Sequence, residues 1–354
     1  MRIAFVNATK KWGGVKTWCL DMGSALQRQG HAVWIYGRAG DFVERAQRRG
    51  LAARAVHFGP DFDPLLVARF LRCFARDRVD RVVVNVSKDL RTAGVAARLL
   101  GIPTIQHLGA PGDLCDTWKV RASQRLLRPR LLACSEFVRA ELQRRVPLLG
   151  AADFASLHPG TELATAPASS HGAVRVLVST SRLDADKGHR DLLDAAAALA
   201  AEAFDFHLVL VGSGTEEASL RAQARRLGLE SRLTWAGFQS EVRPFLQAAD
   251  VFVLPSLCEP LGIALQEAMA HGLVPVARRA GGVPEIWPPG LEALLVSPQA
   301  GANGLQQVLA RVLRSSDEEL QRWKQQTWEH AGRAFALDQQ ARRLAAWLAA
   351  SGRP

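Results

Sequence analysis

Short apolar runs alternate with helix-like stretches along almost the whole chain, and this alternation constrains the fold more than any other feature. In the first half, strand-like runs are found at residues 3–7, 32–36, 53–57, 81–86, 104–107 and 131–134, and helix-like stretches at 15–29, 64–76, 92–100 and 137–145. Strands that alternate with helices form parallel sheets with helices on both faces. We therefore expect an α/β architecture.

The alternation stops in the middle of the chain and then restarts. Beyond a small, polar stretch, strand-like runs recur at 174–179, 207–211, 233–236, 251–254 and 274–277, and helix-like stretches at 190–201, 216–227, 241–248 and 262–271. A chain of 354 residues suits two domains. We predict a Rossmann-like domain at 1–165, a linker at 166–172, a second Rossmann-like domain at 173–325, and terminal helices at 326–354 that pack back toward the first domain. The strand ends of both domains would face a central cleft, where ligands bind.

The segment from residue 250 to 267 contains the densest set of candidate ligand-binding groups. A strand ends at Pro255, and a helix begins near Pro260, so free amides at the helix start could bind a diphosphate. Glu259 precedes this helix and Glu267 lies two turns into it, so both could face one ligand. A carboxylate accepts two hydrogen bonds and suits the vicinal hydroxyls of a ribose or hexose. The alternative is a helix-start charge at Glu259 and a solvated Glu267.

Three further sets of residues lie at or after the ends of predicted strands, where sites form in such folds. Arg182 and Lys187 follow the first strand of the second half and could hold a diphosphate and stabilise its charge as it leaves. Gly13 and Gly14 follow the first strand of the chain and would let the backbone approach a phosphate. His107 ends a strand before a glycine-rich loop. Each could also be an ordinary loop or core residue.

Taken together, these motifs resemble those of the large retaining GT-B glycosyltransferase family of the group 1 and family 4 type. The two glutamates with seven residues between them resemble its signature, and segments 13–15, 181–188, 212–214, 235–238 and 280–286 match other family motifs in order. In character the chain is most similar to bacterial lipopolysaccharide core transferases. It departs from many relatives at Pro260 and Leu261, where they have glycine and an aromatic residue, and at 158–160, where they have an Asn-Gly pair.

The resemblance implies a retaining transfer from a nucleotide-diphosphate sugar, with a UDP-sugar favoured and with neither a metal nor another cofactor. It implies that Glu267 binds the ribose and Glu259 the sugar, and that His107 lines the donor-sugar pocket near the anomeric carbon. The complete expected site has catalytic residues His107, Arg182, Lys187 and Glu259, and donor-binding residues Gly13, Gly14, Gly212, Phe238, Leu261, Gly262 and Glu267. Front-face substitution is expected because no nucleophilic carboxylate is evident. The two cations would replace a divalent metal ion.

Positive charge is concentrated in the first half of the chain. The net charge is +11, and residues 1–160 hold 26 Lys and Arg against 13 Asp and Glu. We predict an acceptor or membrane surface that includes Lys88, Arg121, Arg125 and Arg128. Its partners would be a phosphorylated glycolipid or saccharide acceptor and the anionic inner membrane. The alternative is a solvated basic face with a soluble acceptor.

The same reasoning gives an expected location and two rival functions. No secretory signal precedes the first strand-like run, and no apolar stretch approaches the roughly 18–20 residues of a membrane span. A cytoplasmic enzyme, peripheral at the inner face of the inner membrane, is therefore expected. A GT-B sugar-nucleotide epimerase remains an alternative. A nucleic-acid-binding protein is suggested by the pI of about 10.2, but no recognised nucleic-acid module is present and no such partner is expected.

Overall fold

The computed structural model describes residues 1–10, 12–151, 153–168, 172 and 174–350. It divides into two compact units, and each is described by itself. Unit 1 comprises Met1–Gly160 together with Leu337–Pro354, and unit 2 comprises Thr161–Ala336. Most of the predicted linker at 166–172 belongs to unit 2, although its residues 169–171 lie outside the described part.

Unit 1 is built around a seven-stranded sheet. Its elements up to Gly160 are β1 (Arg2–Asn7), α1 (Gly14–Arg28), β2 (Ala32–Gly37), α2 (Asp41–Arg48), β3 (Ala52–Ala55), α3 (Pro64–Arg76), β4 (Arg81–Val84), α4 (Ser87–Asp89), a π-helical segment (Leu90–Gly94), α5 (Val95–Leu99), β5 (Thr104–Leu108), α6 (Trp118–Leu127), β6 (Arg130–Ala133), α7 (Glu136–Arg145), a 3-10 turn (Pro147–Ala151) and β7 (Phe154–Ser156). The strand order is β3-β2-β1-β4-β5-β6-β7, and the pairings are parallel. The predicted α/β class is therefore confirmed.

The central strand β1 shows how the sequence builds this core. Successive side chains of a strand point to opposite faces. Ile3 and Phe5 accordingly pack in one core cluster with α1, and Ala4 and Val6 pack in a second cluster with α3. Because both faces are covered by helices, the strand is apolar at four successive positions, Ile3 to Val6, rather than at alternate ones.

Helix α3 has the bounds that the sequence predicts. Asp63 caps it, and its carboxylate accepts hydrogen bonds from the amides of Leu65 and Leu66. Phe70 and Phe74 are buried on its inner face. The amphipathic period and the cap therefore agree, which explains why the prediction was accurate.

Unit 2 contains a six-stranded sheet. Its elements are β8 (Arg175–Thr180), a 3-10 turn (Ala185–Lys187), α8 (His189–Ala201), β9 (Phe206–Val211), α9 (Glu217–Arg226), a 3-10 turn (Glu230–Arg232), β10 (Leu233–Gly237), α10 (Arg243–Gln247), β11 (Val251–Leu254), α11 (Ile263–Ala270), β12 (Val274–Arg278), 3-10 turns (Val283–Ile286 and Glu292–Leu294), β13 (Leu295–Val296), a 3-10 turn (Pro298–Ala300), α12 (Gly301–Leu313) and α13 (Asp317–Phe335). The order is β10-β9-β8-β11-β12-β13, with parallel pairings. The carboxyl ends of its strands thus lie at one edge.

A buried ion pair attaches α13 to this sheet. Lys324 Nζ donates to Asp250 Oδ1 over 2.8 Å, and both side chains are fully buried. The second oxygen of Asp250 accepts from the Val176 amide over 3.0 Å. Burial lowers the pKa of Lys324, against the neighbouring carboxylate. Helix α13 therefore belongs to unit 2.

The last helix, α14 (Leu337–Ala349), belongs to unit 1 instead. Leu337, Leu344 and Leu348 join the core cluster that contains α1. The units therefore divide at Gly160 and Ala336 rather than at the predicted residues 165 and 325. The chain pattern did not reveal this division because α13 and α14 are both amphipathic and only one residue separates them.

The remaining differences between sequence prediction and structure concern short elements. Strands β7 and β13 have three and two residues, too few to produce a recognisable run. Helix α2 was missed, and the strand predicted at 53–57 ends at Ala55. Within the described residues, no helix is both long and apolar enough to cross a membrane.

Candidate functional site

In unit 2, the loop after β8 and the turn after β9 are in close backbone contact. Leu183 N donates to Ser213 O over 3.0 Å, and a Cβ added to Gly212 would lie 1.9 Å from Ser181 O. Gly212 also has a φ of +148°, which side chains with a Cβ rarely adopt. The predicted glycine turn therefore has a steric requirement for glycine at this position.

The loop after β8 also holds Arg182, whose partner is a carboxylate of the same loop. Its guanidinium forms an ion pair with Asp184, and two-thirds of the Arg182 side chain is exposed. The amide and hydroxyl of Thr215 donate to the other oxygen of Asp184, each over 3.1 Å. The Thr215 amide is the main cause of the lowered pKa of Asp184, and Arg182 contributes less. The Arg182 guanidinium is thus paired with Asp184, although most of the side chain is accessible.

Lys187 and Glu259 are brought together although they are 72 positions apart in sequence. Lys187 Nζ lies 3.0 Å from Glu259 Oε2, and the two side chains are 12% and 14% exposed. Asp186 is a second partner of Lys187 at 3.5 Å. This contact does not test whether Lys187 or Glu259 binds a ligand. It places the opposite-charge pair at the edge where strands β8 and β11 end.

Close backbone contacts hold the loops around this pair. Gly188 has a φ of +70°, and a Cβ there would lie 2.1 Å from Pro255 O. Gly282 N donates to Glu259 O over 3.0 Å, and a Cβ on Gly282 would lie 2.4 Å from Pro260 O. The loops that follow β8, β11 and β12 therefore meet at Glu259. Sequence reasoning did not assign a role to Gly188 or Gly282 in this contact.

Helix α11 begins next to this loop contact, with Gly262 at a φ of +105° as its N-cap residue. Leu261 is buried, and Glu267 is half-buried within the helix. The Glu267 carbonyl accepts from His271 Nδ1 over 2.8 Å. Phe238, which follows β10, is 62% exposed and is available for contact with a ligand.

A buried histidine that the sequence analysis missed begins α8. His189 Nε2 lies 3.3 Å from Ser181 Oγ, and its Nδ1 has no partner among the described residues. Burial lowers the pKa of His189 to about 4, and the charge of Lys187 acts in the same direction. The ring is therefore neutral near pH 7. Its position directly after the Lys-Gly pair was the available signal.

In unit 1, His107 is the penultimate residue of β5 and is buried. Its ring stacks on Trp18, with centroids 3.7 Å apart and planes 5° apart. Asn85 Nδ2 lies 3.2 Å from His107 Nδ1, whereas His107 Nε2 is buried without a partner among the described residues. Burial lowers the pKa of His107 to about 3. Trp18, Asn7 and Asn85 were missed, although both asparagines follow apolar strand runs.

Asp89 is a second buried polar group beside these strand ends. It is fully buried, and it accepts from the amides of Ala8, Asn85 and Val86 over 2.9, 3.2 and 3.0 Å. Burial raises the pKa of Asp89 to about 7, although the three amides favour the ionised form. Asp89 thereby joins the loop after β1 to the segment after β4.

The predicted glycine pair begins α1. Gly13 is the N-cap residue with a φ of −178°, which is ordinary extended backbone, and a Cβ added there would meet nothing within 4 Å. Gly13 and Gly14 are both exposed. The backbone conformation therefore does not require glycine at residue 13, in contrast to Gly212. What remains of the prediction is an accessible helix N-terminus.

The four residues predicted to form a basic surface differ in their surroundings. Lys88 donates to the Gly59 carbonyl over 2.5 Å and lies 3.9 Å from Asp61. Arg121 forms a two-point ion pair with Asp116, at 2.7 and 2.6 Å. Arg125 and Arg128 are exposed and have no ion-pair partner within the described ranges. Nearby carboxylates therefore reduce the expected positive charge at Lys88 and Arg121.

Two exposed apolar side chains on α6 were not foreseen. Trp118 is 74% exposed and Leu126 is 69% exposed. Residues seven and eight positions apart share one helix face, so Trp118, Arg125 and Leu126 form a common exposed face. We call these three residues the α6 face. The aromatic residue next to basic residues was the available sequence signal.

The structure thus brings Lys187, Glu259, Gly188 and Gly282 together in unit 2, and it places His107 with Asn85 in unit 1. Arg182 pairs with Asp184, whereas Lys187 pairs with Glu259. Among the described residues, no three His, Cys, Asp or Glu side chains converge as a metal site. The arrangement offers cations, carboxylates and backbone amides, which are the groups that bind a phosphorylated sugar ligand.

Comparisons with known proteins bear on the family of the chain. A model for Glycosyltransferase Family 4 matches residues 12–164, and a model for Glycosyl transferases group 1 matches residues 167–330. The lipopolysaccharide core biosynthesis glycosyltransferase LpsE of Rhizobium meliloti (strain 1021) is 35% identical over 38% of this chain and 39% of LpsE. The putative glycosyltransferase EpsF of Bacillus subtilis (strain 168) is 29% identical over 60% of this chain and 61% of EpsF. The chain thus matches less than two-thirds of either relative's length.

A solved structure extends the similarity to the fold of nearly the whole chain. The Anabaena protein HepE, in its complex with UDP and glucose, matches with a TM-score of 0.82 at 22% identity. The match covers 99% of this chain and 100% of the HepE chain. The two matched family models extend over most of the sequence, and both parallel-sheet units have the expected topology. The chain therefore belongs to the GT-B glycosyltransferases of the group 1 and family 4 type.

Proposed function

We propose that this protein transfers a sugar from a nucleotide-diphosphate sugar to a cell-envelope saccharide or glycolipid. The observation that carries the proposal is the Lys187–Glu259 pair, held at 3.0 Å by glycines whose added Cβ atoms would collide with backbone. Such a rigid contact keeps a cation and a carboxylate in fixed positions beside the start of α11. The cation suits a diphosphate, and the carboxylate suits sugar hydroxyls.

The proposed chemistry is direct and retains the anomeric configuration. Lys187 and Arg182 stabilise the diphosphate as its charge grows, Glu259 orients the sugar, and Glu267 binds the ribose. The bond from the anomeric carbon to the phosphate oxygen breaks as the acceptor oxygen bonds on the same face. The departing phosphate oxygen takes the acceptor proton. No metal ion is required, because the two cations supply the positive charge at the diphosphate.

A UDP-sugar is the favoured donor. Support comes from HepE, whose structure contains UDP and glucose. A lipopolysaccharide-type acceptor is supported by the name of LpsE. Transfer is favoured over epimerisation because the matching family models are both of glycosyltransferases.

The α6 face supports a membrane-bound acceptor. Trp118 and Leu126 give it apolar side chains, and Arg125 gives it a positive charge, with Arg128 one residue beyond the helix. An exposed helix face with aromatic, aliphatic and basic residues is typical of helices that bind anionic lipid surfaces. We propose that unit 1 docks on the inner membrane through this face while the enzyme acts from the cytoplasm.

A donor screen with purified protein tests the central proposal. UDP-, GDP- and ADP-sugars are supplied with and without a lipid-linked saccharide acceptor, and free nucleoside diphosphate is measured. We expect release of nucleoside diphosphate. Lys187→Ala should reduce this release at least tenfold, and the exposed control Arg226→Ala should leave it unchanged. Interconversion of UDP-sugars without acceptor would support the epimerase instead. No binding of any nucleotide sugar by calorimetry would overturn the proposal.

Proton NMR of the transfer product tests retention, because the anomeric coupling reports the configuration of the new glycosidic bond. Inversion would refute the front-face mechanism.

Vesicle sedimentation tests docking. Binding to phosphatidylglycerol vesicles should weaken with salt and fall in the Trp118→Ser, Leu126→Ser double variant. Arg125→Glu should also weaken binding to these vesicles. The matched control is Arg48→Glu, which makes the same charge change on α2, elsewhere in unit 1. Equal binding to neutral vesicles would favour a soluble acceptor.

A further inference from the structure

A chain of hydrogen bonds in unit 1 begins at a backbone amide. Thr9 N donates to Asn7 Oδ1 over 3.0 Å, and Thr9 Oγ1 donates to the same atom over 2.5 Å. A backbone N–H can only donate, so the Asn7 atom that faces it must be the oxygen. This contact assigns the orientation of the Asn7 amide, which oxygen and nitrogen positions alone would leave ambiguous.

The assignment extends to Asn85. With its oxygen toward Thr9, Asn7 presents Nδ2, which donates to Asn85 Oδ1 over 3.2 Å. The thiol of Cys19 lies 3.1 Å from the same oxygen and donates to it. Two donors therefore face Asn85 Oδ1. The Nδ2 of Asn85 must then be the atom 3.2 Å from His107 Nδ1.

The last step concerns the imidazole of His107. The Nδ2 group of Asn85 can only donate, so His107 Nδ1 accepts and carries no proton. Burial lowers the pKa of His107 to about 3, so the ring is neutral near pH 7. Its one N–H is therefore at Nε2. The stacked Trp18 ring, 3.7 Å away, fixes the plane in which this N–H points.

We propose that Asn7 and Asn85 are positioning residues that hold His107 as the Nε2–H tautomer, so that His107 donates a hydrogen bond to a ligand oxygen. The Nε2 atom is buried and has no partner among the described residues, which is unusual for a buried donor. A hydroxyl or phosphate oxygen of a bound ligand would satisfy it. This last assignment rests on the proposed function, whereas the tautomer does not.

The tautomer decides what His107 can do. A neutral imidazole with its proton at Nε2 cannot accept a proton there, so His107 does not act as a base toward the acceptor. It instead orients an oxygen by donation. Asn85 does not touch the substrate in this account and acts only through His107.

Nitrogen NMR of the full chain with ¹⁵N-labelled histidine tests the tautomer without any activity measurement. The His107 signals are identified by their loss in His107→Asn. A protonated Nε2 and an unprotonated Nδ1 are expected in the wild-type protein near pH 7. A proton at Nδ1 would overturn the proposal.

The variant Asn85→Asp provides the second test. A carboxylate can only accept a hydrogen bond, so the new side chain should favour a proton on His107 Nδ1 and leave Nε2 unprotonated. We expect the inverted tautomer in the NMR spectrum, a loss of about tenfold or more in kcat/KM for the nucleotide sugar, and an unchanged Kd for the nucleoside diphosphate. The matched control is Asn303→Asp, the same change at an exposed residue of α12.

The outcomes separate the two proposals. If Asn85→Asp inverts the tautomer and kcat/KM is unchanged, the donor role of His107 is wrong. If the wild-type protein shows the Nε2–H form but binds no nucleotide sugar, the proposed function fails and the positioning network stands. If the tautomer does not respond to Asn85→Asp in a folded variant, Asn85 is not the positioning residue.

Discussion

Removal of Lys324 should destabilise unit 2 strongly, because it would leave an uncompensated charge in the core. Lys324 Nζ lies 2.8 Å from Asp250 Oδ1, and neither side chain is exposed. In Lys324→Met, the buried carboxylate would retain only the amide of Val176 among the partners described above. Loss of one member of a buried pair costs about 3–5 kcal/mol, a large share of the roughly 5–15 kcal/mol that stabilises a folded protein.

Charge and packing can be separated by a double-mutant cycle. In Asp250→Asn with Lys324→Met, the Asn oxygen can still accept from the Val176 amide, and no charge remains. The double variant should therefore lose less stability than Lys324→Met alone. Arg322→Met changes an exposed charge on the same helix and should alter the free energy of unfolding by less than about 0.5 kcal/mol.

The measurement must distinguish the two units, because their unfolding need not be a single transition. Urea unfolding of the full chain, followed by hydrogen exchange of peptides from β8, β11 and α13, reports on unit 2. Peptides from β1 and α3 report on unit 1 and should be unaffected. A loss below about 1 kcal/mol in Lys324→Met, or single-variant losses that simply add in the double variant, would refute the reasoning.

Three further predictions follow from the site and the core. Glu267→Ala should weaken nucleoside diphosphate binding by about 1–3 kcal/mol, the cost of hydrogen bonds lost from a charged group; unchanged affinity by calorimetry would exclude the ribose role. Gly212→Ala should destabilise unit 2 more than Gly228→Ala, because both have positive φ but only the first places a Cβ 1.9 Å from a carbonyl oxygen; equal melting temperatures would contradict this. His107 has a lowered pKa of about 3 in the folded state, so the unfolded state binds its proton first as pH falls below about 6.5. The free energy of unfolding should thus decrease toward pH 4 by up to about 1.4 kcal/mol per pH unit, and a His107→Phe variant with an equally steep profile would disprove this contribution.

Much of the architecture was predictable because it depends on local pattern. The apolar run Ile3–Val6 became the core of strand β1, and α3 has its predicted bounds because its period and its Asp63 cap agree. The candidate residues at strand ends were also predictable, since parallel strands deliver their carboxyl ends to one edge of the sheet. This rule selected His107, Lys187 and Glu259 as candidates.

The partners of those residues were decided by the tertiary structure alone. Nothing near Lys187 in sequence predicts Glu259 at 3.0 Å, because that distance depends on how the loops after β8 and β11 pack. Arg121 contributed positive charge to the predicted basic surface, yet Asp116 pairs with it. The tautomer of His107 depends on an asparagine 22 residues away. Local sequence determines which groups reach a strand end, whereas the packing of distant segments determines their partners and hence their protonation and charge.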